Sequence, residues 1–223
     1  QRALRKLEAE LARTRDPLRV GRLHFEIGRL YESPLGELAS AADHYQKAYA
    51  TCPDHLPTLR GARRVLCATK NFHGALPLFD AEARYLSEPS LKAQLFYEKG
   101  RTLEDHLAQK REARDAYAAA VDLDGQNATY LKALERVDTQ AKAWDALDKT
   151  LERSANAVSS DARHRAALLV ERARLVEARK SDSRTATELY NEALGFDPRA
   201  PAALEALKRL HYAHQRWRDL TFV

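Results

Sequence analysis

The sequence of 223 residues contains no methionine and only two cysteines, Cys52 and Cys67. Two cysteines cannot build a disulfide framework, and neither belongs to a CxxC pair, so we expect free thiols that pack as small hydrophobic side chains. Because even the first residue is not methionine, we expect a piece of a longer protein. No run approaches the roughly 18 apolar residues of a membrane-spanning helix. We therefore expect a soluble protein without a membrane partner, in the cytoplasm.

The motifs of common active sites are also absent. The sequence has no GxxxxGK[ST], GxGxxG, HExxH or GxSxG pattern. Carboxylates are abundant, but no pattern isolates a pair of them in an apolar pocket, as acid–base catalysis requires. His211 and His214 are three residues apart, yet a bare histidine pair specifies little without further metal ligands. The sequence therefore predicts no metal, no cofactor and no enzyme activity.

The charge balance is mildly basic. Lysine and arginine number 37 against 32 aspartate and glutamate residues, giving a formal net charge of +5. The two signs are interleaved, as in QRALRKLEAELARTR at the start of the chain. This pattern is typical of solvated helix faces and does not by itself indicate nucleic-acid binding.

One positive signal recurs, an aromatic residue between two small residues at the helical spacing i, i+4, i+7. Proline or glycine follows each copy and ends the helix. Sustained alternating runs, which would predict strands, are absent. The pattern therefore predicts an all-α repeat protein. Its copies are Ala41/Tyr45/Ala48, Ala113/Tyr117/Ala120 and Ala186/Tyr190/Ala193, with Ala75 and Phe79 34 residues after Ala41 and Tyr45.

The best-formed copy resembles the tetratricopeptide repeat, a helix pair of 34 residues. Its residues are Ile27, Gly28 and Tyr31 in the first helix, a turn at Ser33–Gly36, then Ala41, Tyr45, Ala48 and Pro53. The resemblance implies a right-handed α-solenoid of antiparallel helix pairs, a superhelix without a single central core. We expect a helix of a preceding repeat over 1–15, repeats at about 16–53, 54–88, 89–125, 126–157 and 161–198, and a partial repeat at 200–223, whose second helix lies near Trp217 and Leu220.

The fourth repeat is irregular. Ala143, Leu147 and Thr150 are the candidates for its second-helix positions, and they fit poorly. The segment 155–160, ANAVSS, is a polar connection that is longer than the others. An array with such a joint is expected to bend or flex there.

The resemblance also implies a binding surface, because the first helices of tetratricopeptide repeats line a concave groove. Five of the six repeats place arginine at one equivalent groove position. Planar guanidinium groups suit carboxylates and phosphates. Alternatively, the arginines form exposed ion pairs with the acid three residues on, as in Arg29–Glu32, Arg101–Glu104 and Arg174–Glu177. The predicted groove residues are Phe25, Arg29, Glu32, Arg64, Tyr97, Arg101, Glu104, Arg174, Glu177 and Arg209.

We therefore predict a protein–protein interaction scaffold that binds a partner segment, of acidic character, in this groove. Phe25 and Tyr97 occupy the position of the first lysine of the family's carboxylate clamp, and arginine replaces its asparagine, so binding of chaperone tails is disfavoured. Two alternatives stay open. One is an architectural or oligomerisation module of a larger protein, self-associating through terminal repeats. The other is an RNA-binding helical-repeat module, which the acidic neighbours of the arginines disfavour.

Overall fold

The computed structural model describes residues 2–158 and 160–213. This part of the chain forms α-helices without strands, which confirms the predicted all-α class. The helices are α1 Arg2–Leu11, α2 Pro17–Leu30, α3 Leu38–Thr51, α4 Leu56–Ala68, α5 Phe72–Tyr85, α6 Pro89–Asp105, α7 Lys110–Leu123, α8 Ala128–Gln140, α9 Trp144–Ala157, α10 Ala162–Leu175, α11 Ser183–Phe196 and α12 Pro201–Ala213. His214, Trp217 and Leu220, which the sequence analysis placed beyond α12, lie outside the described residues.

The chain divides into two compact units, Gln1–Gln109 and Lys110–Val223. In the first unit, α1 to α6 pack in order, each helix on the next. In the second unit, α7 to α12 do the same. Sequential packing across short connections gives antiparallel helix pairs. The predicted architecture of stacked helix pairs is thus confirmed within each unit.

The aromatic residue of each repeat is buried between helix backbones. The rings of Tyr45, Tyr117 and Tyr190 are fully buried. A Cβ atom added to Gly28 would lie 3.0 Å from the Tyr45 ring, and one added to Gly61 would lie 2.6 Å from its Cζ atom. The Gly61 position therefore requires glycine, because the ring occupies the space of a side chain, whereas a side chain at Gly28 would make a tight contact with the ring. The sequence analysis identified Gly28 and missed Gly61.

The predicted turn at Ser33–Gly36 is largely helical. A π-helical turn, Tyr31–Leu35, extends α2, and Gly36 then ends it with a φ angle of 71°. The wider backbone turn tolerates Pro34, which has no N–H to donate. The second unit has the same device at Val176–Lys180, followed by Ser181 with a φ of 55°. These extensions carry Glu32 and Glu177 past the ends of their α-helices.

The predicted alignment of the fourth repeat is wrong. Ala143 is the N-cap of α9 and not a core anchor. The helix buries Leu147, Leu151 and Ser154 at i, i+4 and i+7. Leu147 therefore takes the position of Ala113, 34 residues earlier. The alanine pattern missed this register because a leucine stands where the other repeats have a small residue.

The polar connection at 155–160 is also shorter than predicted. Helix α9 continues to Ala157. Ala155 is buried in the same core cluster as Ala166 and Leu169 of α10. At least the first half of the predicted connection is therefore helix and core.

Among the described residues, no helix combines the length and the apolar character that crossing a membrane requires.

The close approach at Gly61 generates a prediction. Replacing Gly61 with alanine puts a methyl group 2.6 Å from Cζ of the fully buried Tyr45 ring. We expect Gly61→Ala to lower the free energy of unfolding by about 1–3 kcal/mol, the usual cost of overpacking a core. Denaturant unfolding measures this loss.

Gly195 provides the matched control, because a Cβ atom added there meets nothing within 4 Å. Gly195→Ala is expected to stabilise by up to about 1 kcal/mol, since alanine favours helix more than glycine. Equal effects of the two substitutions would contradict the assigned packing.

Candidate partner-binding groove

Two adjoining clefts lie on the face that α2, α4 and α6 present in the first unit. One has a volume of about 480 Å³ and is lined by Phe25, Arg29, Glu32, Ser33, Tyr45, Pro57, Arg60 and Arg64. The other has a volume of about 490 Å³ and is lined by Arg60, Arg63, Arg64, Cys67, Phe79, Glu98, Arg101, Thr102, Asp105 and His106. Because they share Arg60 and Arg64, they form one continuous surface, here called the unit-1 groove.

The unit-1 groove brings together half of the predicted site residues: Phe25, Arg29, Glu32, Arg64 and Arg101. Tyr97 and Glu104 lie half-buried on α6. The remaining three, Arg174, Glu177 and Arg209, belong to the second unit. The predicted site residues therefore fall into two sets, one in each unit.

The sequence analysis missed several residues of the unit-1 groove, above all Arg60, Arg63, Glu98 and Asp105. A signal was present, because Arg60 precedes Arg64 by four residues and Asp105 follows Arg101 by four. Residues at this spacing share a helix face. The prediction used only the position that repeats between helix pairs, so neighbours within each helix were overlooked.

The predicted i, i+3 ion pair is wrong for Arg29, because Glu32 binds another arginine. Arg29 lies 3.6 Å from Glu26, and Arg101 lies 3.5 Å from Asp105. Glu32 instead binds Arg64 of the next repeat. Glu177 likewise binds Arg209 of the next repeat, at 2.8 Å. Glu32 and Glu177 bind arginines of the next repeat because the π-helical turns carry these carboxylates beyond their own helices.

Each of these two carboxylates also accepts a hydrogen bond from the buried tyrosine of its own repeat. Tyr45 Oη donates to Glu32 Oε2 at 2.6 Å, and Arg64 Nη2 donates to the same oxygen at 2.8 Å. We call this arrangement the Tyr–Glu–Arg bracket. In the second unit, Tyr190 Oη donates to Glu177 Oε2 at 3.2 Å, and Arg209 completes the bracket. The bracket links two consecutive repeats through one carboxylate.

The protonation states of the bracket tyrosines and of Glu32 agree with the directions of these hydrogen bonds. The hydrogen bond from Arg64 lowers the pKa of the Glu32 carboxyl, with a further contribution from Tyr45. Burial, and then the hydrogen bond to Glu32, raises the pKa of Tyr45. Burial and the charge of Glu177 raise the pKa of Tyr190 to about 12. Both tyrosines therefore keep the proton that they donate at neutral pH.

The bracket has a sequence signature that the sequence analysis did not use. Tyrosine follows glutamate by 13 residues, and arginine follows the same glutamate by 32. The same spacing occurs once more in the sequence, at Glu104, Tyr117 and Arg136.

A second ion-pair network lies behind the unit-1 groove. Glu82 of α5 is only 2% exposed. It accepts hydrogen bonds from Arg60 Nε at 2.9 Å and from Arg63 Nε at 2.8 Å. Arg63 also binds Glu98 at 3.0 Å and lies 4.7 Å above the ring of Phe79. Because a buried carboxylate needs its partners, these contacts hold Arg60 and Arg63 in place.

The arginines of the unit-1 groove therefore differ in how firmly they are held. Arg29 and Arg101 are 60% and 61% exposed, with ion pairs longer than 3.4 Å. Exposed pairs of this kind contribute only about 0–1 kcal/mol. A carboxylate from another molecule can thus replace Glu26 or Asp105 at little cost. Arg64, by contrast, forms two hydrogen bonds with a carboxylate that is only 14% exposed.

Both cysteines are free and half-buried, as expected. Burial raises the pKa of the Cys67 thiol, so the thiol that lines the unit-1 groove is protonated at neutral pH and not a nucleophile. In the part of the chain that the structure describes, no cluster of three or more histidine, cysteine, aspartate or glutamate side chains could hold a metal ion.

A third cleft of the first unit, of about 540 Å³, lies between α3, α4 and α5 and is more apolar. The second unit has a cleft of about 340 Å³ near Arg153. None of the predicted site residues lines either of them.

Comparison with solved structures identifies the fold. A tetratricopeptide repeat protein from Parabacteroides merdae superposes with a TM-score of 0.50 at 15% sequence identity, covering 93% of this chain and 91% of that one. The fold is that of a tetratricopeptide repeat protein. The resemblance read from the residues is thus confirmed at the level of the fold.

Two further tetratricopeptide repeat structures superpose with lower TM-scores. YrrB, a protein with an unusual peptide-binding site, has a TM-score of 0.47 and 21% identity, with coverage of 83% of this chain and 91% of YrrB. The C-terminal part of a repeat protein from Cytophaga hutchinsonii has a TM-score of 0.47 and 15% identity, with coverage of 84% and 73%. No family model matches the sequence. No curated protein matches it either.

The Tyr–Glu–Arg bracket predicts the effect of removing one hydroxyl group. Tyr45→Phe keeps the ring and deletes only the hydrogen bond to Glu32. We expect a loss of about 0.5–1.5 kcal/mol in the free energy of unfolding, the usual contribution of a protein hydrogen bond.

Tyr85→Phe is the matched control, since Tyr85 is 48% exposed at the end of α5. Its effect should stay within about 0.5 kcal/mol, as for most surface substitutions. If denaturant unfolding gives the same free energy for Tyr45→Phe as for the wild type, the hydrogen bond from Tyr45 to Glu32 does not contribute to stability, which contradicts the bracket.

Proposed function

We propose that this protein is a non-catalytic scaffold that binds an acidic segment of a partner protein in the unit-1 groove. The tetratricopeptide repeat fold suggests a protein–protein interaction scaffold in general. The residues of the unit-1 groove support this particular form of it.

The observation that carries the proposal is the state of Arg29 and Arg101. Both guanidinium groups are mostly exposed, and each faces a carboxylate across a long, weak contact. Their own helices hold them on one continuous surface, α2 at one end and α6 at the other. An incoming carboxylate therefore gains a charge-assisted hydrogen bond without breaking a strong internal one.

Apolar surface for a partner lies beside these charges. The ring of Phe25 lies 5.8 Å from the Arg29 guanidinium and packs edge-on against His55, with ring centroids 4.9 Å apart. Phe79 of the second cleft is buried beneath Arg63, so Phe25 is the ring that a partner can reach. Aromatic residues and arginine are enriched at protein interfaces because they combine apolar area with hydrogen bonding.

Arg64 and Arg209 have a different role in this proposal. Each completes a bracket between two consecutive repeats, so each stabilises the scaffold and is not the first contact for a partner. The predicted row of equivalent arginines thus falls into two groups, those that bind a bracket glutamate and those that do not. Arg174, exposed on α10, is grouped with Arg29 and Arg101 as available to a partner.

An acidic protein segment fits the unit-1 groove better than RNA does. Glu98 and Asp105 line the second cleft. A phosphate backbone carries a charge at every nucleotide and would meet these carboxylates along its length. A protein segment can place a few acids at the arginines and leave the remaining positions uncharged.

The test is selection of binders from a displayed peptide library, followed by measurement of the dissociation constants of the selected peptides. We expect peptides rich in aspartate and glutamate. The double variant Arg29→Glu/Arg101→Glu is expected to bind them about tenfold more weakly or worse, a loss of about 1.4 kcal/mol. Its circular dichroism and melting temperature should match the wild type, because both side chains are exposed.

Arg84→Glu/Arg111→Glu is the matched control, since it makes the same change of charge at two exposed arginines outside the unit-1 groove. It should retain wild-type affinity. Equal losses in the two double variants would show that overall charge, and not the groove, determines binding. No loss in either would place the binding surface elsewhere.

A further inference from the structure

Two histidines meet between α2 and α3 of the first unit, away from the residues that line the unit-1 groove. Nδ1 of His24 lies 3.0 Å from Nδ1 of His44, which is hydrogen-bonding distance. The ring centroids are 5.2 Å apart, and both side chains are half-buried. One imidazole–imidazole contact is thus part of the interface between α2 and α3.

This contact accommodates only one proton. A neutral imidazole donates through one ring nitrogen and accepts through the other, so one Nδ1–H can point at the lone pair of the second Nδ1. When both rings are protonated, both nitrogens are donors, and two N–H groups of like charge face each other across 3.0 Å. The hydrogen bond is then lost and replaced by repulsion.

The charged groups around the two histidines have opposing effects on their protonation. Asp43 of α3 favours protonation of both histidines, and Glu8 of α1 favours that of His44. Lys47 opposes it, and it pairs with Asp43 at 2.6 Å. Tyr31 of the π-helical turn stacks on His44, with ring centroids 5.5 Å apart.

Burial is the largest influence on both rings. It lowers the pKa of His24, with a further lowering by the charge of His44, and it lowers the pKa of His44. The surrounding charges partly cancel and do not reverse this direction. The geometry therefore opposes protonation of both rings together, and burial opposes protonation of each ring.

We propose that the His24–His44 pair is an acid-sensitive contact that holds α2 against α3 while at least one ring is neutral and loosens this helix pair when both rings are protonated. The inference goes beyond the proposed function and does not depend on it, because it concerns the stability of the first helix pair. It also bears on the unit-1 groove, since Phe25 is the next residue of α2 after His24.

The direction of the pH dependence follows from the lowered pKa values. In the unfolded chain, each histidine takes up its proton near the ordinary pKa of 6.5, whereas the folded chain resists protonation until a lower pH. The contribution of the pair to stability is therefore fully present above pH 6.5 and decreases as the pH falls below that value.

Thermal melting of three proteins tests the proposal: the wild type, His44→Gln and His73→Gln. Glutamine keeps a hydrogen-bonding side chain that does not titrate, and His73 is exposed on α5, so its variant is the matched control. Between about pH 7.5 and about pH 5, the wild type and His73→Gln are expected to lose about 2–4 °C more in melting temperature than His44→Gln. Equal losses in all three proteins would overturn the proposal.

A nuclear magnetic resonance titration of the wild type provides a second measurement that needs no folded variant. The ring signals of both His24 and His44 are expected to titrate below pH 6.5. If either ring titrates at or above that value, the pair does not resist protonation, and the proposal fails.

Discussion

The buried tyrosine ring of each well-formed repeat is the contact on which the surrounding structure depends. Tyr45 fills the space between α2 and α4 beside two glycines, Gly28 and Gly61, and leaves no room for a side chain at Gly61. Its hydroxyl group, at the edge of the ring, binds Glu32, which in turn binds Arg64 of the next repeat. Packing within a repeat and the ionic contact between repeats therefore meet at a single side chain. The second unit repeats this arrangement around Tyr190.

This arrangement separates the arginines that stabilise the fold from those that we propose for partner binding. A bracket arginine binds a carboxylate that is mostly buried, so removing it leaves a charge with poor access to water. Arg29 and Arg101 bind exposed acids across long distances, so removing them costs the fold little. Equivalent positions in the repeats thus carry the same residue type for two different physical reasons, which is why repetition alone does not identify a binding site.

The fold was predicted from the sequence, whereas the pairing of charges was not. An aromatic residue at i+4, between small residues at i and i+7, reports directly on core packing, and the aromatic rings are buried at Tyr45, Tyr117 and Tyr190. The partner of Glu32 depends on a π-helical turn and on a residue 32 positions away, neither of which local spacing reveals. The fourth repeat was misaligned because Leu147 replaces the small residue used to find the register. Phe25, Arg29, Glu32, Arg64 and Arg101 were nevertheless assigned to one surface, because the resemblance to the tetratricopeptide repeat implies that the first helices line a groove.

The most direct test of the division between scaffold and binding arginines is the unfolding free energy of Arg64→Gln and Arg101→Gln, measured side by side in denaturant. Both remove one guanidinium group of similar exposure. The account predicts that Arg64→Gln loses about 1–2 kcal/mol, because Glu32 keeps its charge without its main partner, and that Arg101→Gln stays within about 0.5 kcal/mol of the wild type. Equal losses in the two variants, or a larger loss for Arg101→Gln, would contradict it.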